Sequence, residues 1–137
     1  MILNLQPVRP PHYLEKPFES WTVTGLAFSP DGRYLAAGGW DFEAALFDAH
    51  SGRLLTLIGD ESYLDFQRAE FTPDSRRLAL VSDGIITLWD LHSKRNVLSL
   101  FVTGDDVIDQ LRFDPTGERL FITVQDSCKI YSAPRTQ

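Results

Sequence analysis

The residues of this chain best equipped for chemistry are His12, His50 and His92, the lone Cys128, and the acidic pairs Asp60-Glu61 and Asp105-Asp106. An imidazole acts as a general base or binds a metal near neutral pH. His50 and His92 sit in matching contexts, Asp48-Ala49-His50-Ser51 and Asp90-Leu91-His92-Ser93. Matching positions in stacked sheets lie about 10 Å apart, whereas two ligands of one ion each lie about 2 Å from it. Both histidines therefore read as turn residues. A single cysteine excludes an internal disulfide and a cysteine metal cluster. The acidic pairs lack the dense run of oxygen ligands of a calcium loop and read as solvated loops. There is no Gly-x-Ser-x-Gly elbow, no Walker loop and no His-Glu-x-x-His. The expectation is that the chain is not an enzyme, with no catalytic, metal-binding or cofactor-binding residue.

A repeat sets where these residues fall. Phe28-Ser29-Pro30-Asp31-Gly32 returns as Phe71-Thr72-Pro73-Asp74-Ser75 and as Phe113-Asp114-Pro115-Thr116-Gly117, with the phenylalanines 43 and 42 residues apart. A fixed period of this size marks an array of identical supersecondary units. Pro and Gly stand where a tight turn wants fixed φ first and positive φ later. Ser75 replaces the glycine, which points to strain or another turn type there. Each unit reads as four short strands, a to d. They fall near 22–28, 34–39, 43–48 and 53–58, then near 67–71, 77–82, 85–90 and 96–101, then near 108–113, 119–124 and 128–132. The b strands, such as Leu78-Ala79-Leu80-Val81, are apolar without alternation, so both of their faces must be covered. Radially stacked blades cover them in this way.

Downstream of each motif the pattern continues through Asp41, Asp83 and Asp126 to Phe47-Asp48, Trp89-Asp90 and Tyr131-Ser132. This resembles the WD-repeat β-propeller family, of which Trp-Asp is the signature dipeptide, over roughly residues 11 to 133. The resemblance implies an all-β fold of three four-stranded antiparallel blades, a partial propeller completed by oligomerisation or by another chain. It also implies a non-catalytic scaffold that docks peptides or partner domains. The family's buried tetrad of His, Ser or Thr, Asp and Trp is incomplete. Asp41 and Asp83 match it, Asp126 stands in a unit one residue shorter, Trp89 is the one matching indole and Ser82 is a neighbour. The Gly-His pair is replaced by Gly59-Asp60 and Gly104-Asp105. Asp41, Asp83, Trp89, Asp90 and Asp126 are thus structural candidates, and an Asp in such a turn also simply accepts backbone N–H groups.

Two alternatives remain open on the sequence. Pro-Asp-Gly hairpins also occur in ligand-binding or enzymatic propellers of the periplasmic type, and the chain could be one fragment of a larger split propeller. Trp89-Asp90 and the lack of a basic, apolar start at Met1–Pro7 favour the scaffold reading and a cytoplasmic location. The net charge of −6 argues against nucleic acid as a partner. No apolar run approaches the roughly 20 residues of a membrane span.

The organisation expected is an N-terminal extension over 1–10, repeat units over 11–52, 53–95 and 96–133, and a tail over 134–137. The third unit stops after strand c. The stretch Pro11–Glu15 precedes Phe28 by about the distance that the d strands precede Phe71 and Phe113, so it is the candidate for the missing strand. Propellers have about four to eight blades, so exchange of this strand between copies would give a six-bladed dimer, ahead of a trimer or a heteromer. Tyr13 and Leu14 on the donor side and Cys128, Ile130 and Tyr131 on the acceptor side are the expected subunit interface. Trp40, Phe42 and Tyr63 fall on one loop face with Asp60, Asp105 and Asp106. Aromatics beside charge are common interface anchors, and the acids suit a basic protein or peptide partner.

Overall fold

The structure is a computed structural model. It describes residues 13–17, 22–39, 42–58, 66–102 and 107–133, apart from the side chains of Phe42, Glu43 and Phe66. Every element in it is a β-strand: β1 (Val23–Phe28), β2 (Tyr34–Gly39), β3 (Phe42–Asp48), β4 (Leu54–Ile58), β5 (Phe66–Phe71), β6 (Arg77–Ser82), β7 (Ile85–Asp90), β8 (Arg95–Phe101), β9 (Ile108–Phe113), β10 (Arg119–Val124) and β11 (Ser127–Ser132). They form antiparallel meanders in the orders β1-β2-β3-β4, β5-β6-β7-β8 and β9-β10-β11. The strand limits agree with the sequence reading to within one residue, and the third blade ends at its third strand as expected.

The repeated motif builds the same corner three times. Phe28, Phe71 and Phe113 close the inner strands, and the N–H groups of Gly32, Ser75 and Gly117 each donate to the carbonyl three residues earlier, at 2.9 to 3.0 Å. All three residues have positive φ, 74° at Gly32, 60° at Ser75 and 75° at Gly117. The substituted corner is therefore the same corner, with serine held in the left-handed region that glycine normally fills.

A hydroxyl and a carboxylate lock each corner. Ser29 donates its hydroxyl to Asp31 at 2.7 Å, and Thr72 does so to Asp74 at 2.6 Å. In the third blade the order is inverted: Asp114 holds the first place and accepts from the Thr116 hydroxyl at 2.9 Å. Asp114 also accepts the Arg119 N–H at 3.1 Å, the bond that Tyr34 N–H makes to the Ser29 hydroxyl and Arg77 N–H to the Thr72 hydroxyl.

The blades stack through two apolar cores. Ala36, Ala44, Leu46 and Ile58 of the first blade pack against Phe71, Leu78 and Leu80 of the second. Ala79, Val81 and Ile86 on the other side of the second blade pack against Leu111, Leu120 and Ile122 of the third. Both faces of β6 are thus covered, which explains its unbroken apolar run. Fully buried side chains such as Leu78, Leu80 and Ile122 each contribute about 1.5–3 kcal/mol by leaving water.

Tyr13–Lys16 forms no strand, and residues 11 and 12 lie outside the described residues. In the single chain the segment lies against the first blade. Leu14 packs on Leu35, Ala37, Ala45 and Phe47, the Glu15 N–H donates to the Gly52 carbonyl at 3.0 Å, and the Glu15 carboxylate accepts the Leu54 N–H at 2.9 Å. Within one chain the β11 edge is at the far end of the array, and the segment rests on the outer apolar face of the first blade beside it.

Candidate functional site

The inner strands β1, β5 and β9 line an open trough of about 360 Å³. Its walls carry Thr24, Gln67, Arg68, Asp109, Gln110 and Arg112. Two links cross between the second and third blades here. Arg68 Nε donates to the Asp109 carbonyl at 3.1 Å, and Arg112 pairs with Glu70 at 3.1 Å. Burial pushes the Glu70 carboxyl above its ordinary value, and the Arg112 guanidinium pulls part of the way back. The trough offers hydrogen-bonding groups and charge but no nucleophile held by a base.

A second concavity, about 470 Å³, opens between β8 and β11. Ile86, Leu88, Leu98 and Leu100 form its second-blade wall, and Phe113, Leu120 and Tyr131 its third-blade wall. In the other blades a fourth strand pairs with the third, β4 on β3 and β8 on β7. No strand among the described residues pairs with the outer edge of β11. The groove therefore lies where a fourth strand of that blade would run, beside a row of unpaired backbone donors and acceptors.

The loop surface expected from sequence falls almost wholly outside the described residues. This holds for Trp40, Asp41, Asp60, Tyr63, Asp105 and Asp106, and Phe42 is described only as the first backbone position of β3. His12 is outside as well. His50 and His92 are exposed in the β3–β4 and β7–β8 turns, where the His50 N–H donates to Asp48 at 3.1 Å. Among the described residues no group of three or more His, Cys, Asp or Glu is placed to hold a metal ion, and no helix is long and apolar enough to cross a membrane. On the expected subunit interface, Tyr13, Cys128 and Ile130 are exposed, and Tyr131 is half-buried against the core between the second and third blades.

The structural candidates divide. Asp83 is exposed in the β6–β7 turn with φ 46°, and Asp126 is exposed in the β10–β11 turn. The Trp89 indole N–H donates to Thr87 Oγ1 at 2.8 Å, within its own strand. Ser82 Oγ is buried without a hydrogen-bond partner. Asp90 caps the β7–β8 turn by accepting the Ser93 N–H at 2.8 Å, as Asp48 accepts the Ser51 N–H at 2.7 Å. Those backbone bonds are the main reason both carboxyls lie below their ordinary value. The sequence reading missed that Asp31, Asp74 and Asp114 are corner locks. The signal was present in the recurrence of one hydroxyl and one carboxylate two residues apart.

Antiparallel blades, two of four strands and one of three among the described residues, stacked face to face with their first strands lining a trough, define a repeat protein built of propeller blades. The family described as "WD domain, G-beta repeat" matches residues 10–48. Actin-interacting protein 1 of Drosophila melanogaster is 34% identical over 90 residues, 64% of this chain and 15% of that protein. Small ribosomal subunit protein RACK1 of Caenorhabditis elegans is 33% identical over 79 residues, 57% of this chain and 23% of that protein. Pre-mRNA-processing factor 19 of Mus musculus is 36% identical over 77 residues, 55% of this chain and 15% of that protein. The matches thus span less than a quarter of each of these relatives. The match over residues 10–48, the relatives and the three blades together support a WD-repeat family for this chain.

Proposed function

We propose that this chain is a non-catalytic protein-interaction scaffold whose blades are completed by strand exchange between copies, two copies making a six-bladed ring. The observation that carries the reading is the free edge of β11 beside an apolar groove. An edge of that kind invites a further strand, and β-strand addition is a recurring mode of recognition. Supporting it, Leu14 and Glu15 already lie on the outer face of the first blade, the side from which a preceding blade would approach. The partner surface is assigned to Trp40, Phe42 and Tyr63 with Asp60, Asp105 and Asp106, and the partner to a basic protein segment in the cytoplasm. Charge there sets the on-rate and the aromatics the affinity.

Sedimentation of the intact chain and of a chain lacking residues 1–16 tests the exchange. The intact chain is expected as a dimer and the shortened one as aggregate. An intact chain that stays monomeric at micromolar concentration refutes the exchange. For the partner surface, Trp40→Ala is expected to weaken binding by about 2 kcal/mol, and unchanged binding removes Trp40 from it.

A further inference from the structure

The strand registers make positions in the three blades equivalent, and equivalence exposes what the end faces lack. Leu35, Leu78 and Leu120 pair with Phe47, Trp89 and Tyr131. One step along, Leu46, Leu88 and Ile130 are equivalent, and two further along so are Ala44, Ile86 and Cys128. Leu46 and Ala44 are buried against the second blade, Ile86 is buried against the third and Leu88 is half-buried there. Ile130 and Cys128 hold the same places on the outer face of the third blade, where Ile130 is 58% exposed against 3% for Leu46.

The opposite end mirrors this. The motif phenylalanine Phe71 is 4% exposed because the first blade covers it, whereas Phe28, with no described blade before it, is 64% exposed. Beside it Leu26 is exposed too. The corners follow the same step. The Asp31 N–H donates to Ser75 Oγ at 3.1 Å across the first junction, and Gly117 lies against Pro73 across the second, where an added Cβ would stand 3.3 Å from its ring. At Gly32, the equivalent position in the first blade, an added Cβ would meet nothing within 4 Å.

We infer that these two faces are one seam between copies. Phe28 and Leu26 of one copy pack on Ile130, Cys128 and Phe121 of a second, with Gly32 set against the Pro115 corner of that second copy. The inference rests on the ring proposed above and names its closing surface. Continuity with the two junctions inside the chain selects a second copy as the occupant, because each end face carries the half of the junction that the other lacks.

Cys128, the lone cysteine of the chain and exposed in the single copy, reports on the seam. Its reaction with a disulfide reagent is followed together with mass by sedimentation, for the intact chain, for Ile130→Asp and for the chain lacking residues 1–16. Ile130 is exposed, so the substitution leaves the blade folded, which far-ultraviolet circular dichroism checks. The expected result is a dimer whose Cys128 reacts about tenfold or more slowly than in Ile130→Asp, which is monomeric. A dimer with freely reactive Cys128 overturns the seam and leaves strand exchange standing. A protected dimer that survives removal of residues 1–16 supports the seam and overturns the exchange. A monomer with freely reactive Cys128 overturns both.

Discussion

Ser75 carries two opposed effects that substitution separates. It is buried, and its φ of 60° places it in the left-handed region. A side chain there costs roughly 1–2 kcal/mol relative to right-handed backbone, a cost that glycine escapes. Against this, Ser75 Oγ accepts the Asp31 N–H at 3.1 Å across the junction of the first two blades. Such a bond contributes about 1 kcal/mol net. Ser75→Ala keeps the strain and loses the bond, so it should cost about 1 kcal/mol. Ser75→Gly loses the bond and the strain, but pays about 0.5–1 kcal/mol for the freedom of glycine in the unfolded chain. It should therefore fall within about 0.5 kcal/mol of the unchanged protein. The order expected in urea unfolding is alanine lowest, with glycine close to the unchanged chain. At a slope of about 1–3 kcal/mol per molar, the gap is a few tenths of a molar in midpoint or more. All three proteins must be compared at one concentration, because association shifts apparent stability. Alanine as stable as glycine would refute the left-handed corner. Alanine as stable as serine would show that the link between blades contributes nothing.

Ser82→Ala should raise stability by about 1 kcal/mol, because it removes a buried hydroxyl that has no partner; a clear loss in the urea midpoint would mean that the hydroxyl is bonded after all. Acid sensitivity follows from the corner aspartates. Hydroxyl bonds from Ser29 and Thr72 are the main reason that Asp31 and Asp74 lie below their ordinary value. In Asp114 burial pushes the other way and is outweighed by the Arg119 N–H and the Thr116 hydroxyl. Folded values below unfolded ones mean that this stability is complete above the unfolded value of about 3.9 and is lost as pH falls through the folded values. Glu70, raised by burial, works in the opposite sense. The urea midpoint should therefore fall below about pH 4, and Asp31→Asn with Asp74→Asn should flatten that fall; an unchanged acid limb in the double variant would contradict it.

The strands were legible because the corner that ends each inner strand is written in residues with few other uses. A phenylalanine, a proline two places on and a glycine two further specify a turn chemically. From there the apolar runs could be placed to within a residue. Three features were not legible. Ser75 read as strain or another turn type, and propensity alone does not choose between them; the surrounding corner bonds are the same and hold the serine at positive φ. The N-terminal segment was read as a strand from spacing alone. Spacing proposes its exchange between copies but does not reveal that, within one chain, Leu14 rests on the face of the first blade. The Trp89 indole was read through the family tetrad, whereas Thr87, two residues away on the same face of its strand, supplies a closer acceptor.

The inversion in the third corner shows what this repeat needs. Asp114 and Thr116 exchange the places that Ser29 and Asp31 hold in the first blade, and the turn keeps its φ and its closing bond. The requirement is for one hydroxyl and one carboxylate facing each other, whichever comes first, because each can accept the N–H that opens the second strand of its blade. The same economy accounts for five of the described acids. Asp31, Asp48, Asp74, Asp90 and Asp114 all bond within their own turns, and Glu70 is paired with Arg112. What the fold leaves uncommitted is backbone and apolar surface: the edge of β11, the groove beside it, and the outer faces marked by Phe28 and Ile130. Unpaired strand edges and exposed apolar faces are features that further polypeptide completes, which is the physical ground of the association proposed for this chain.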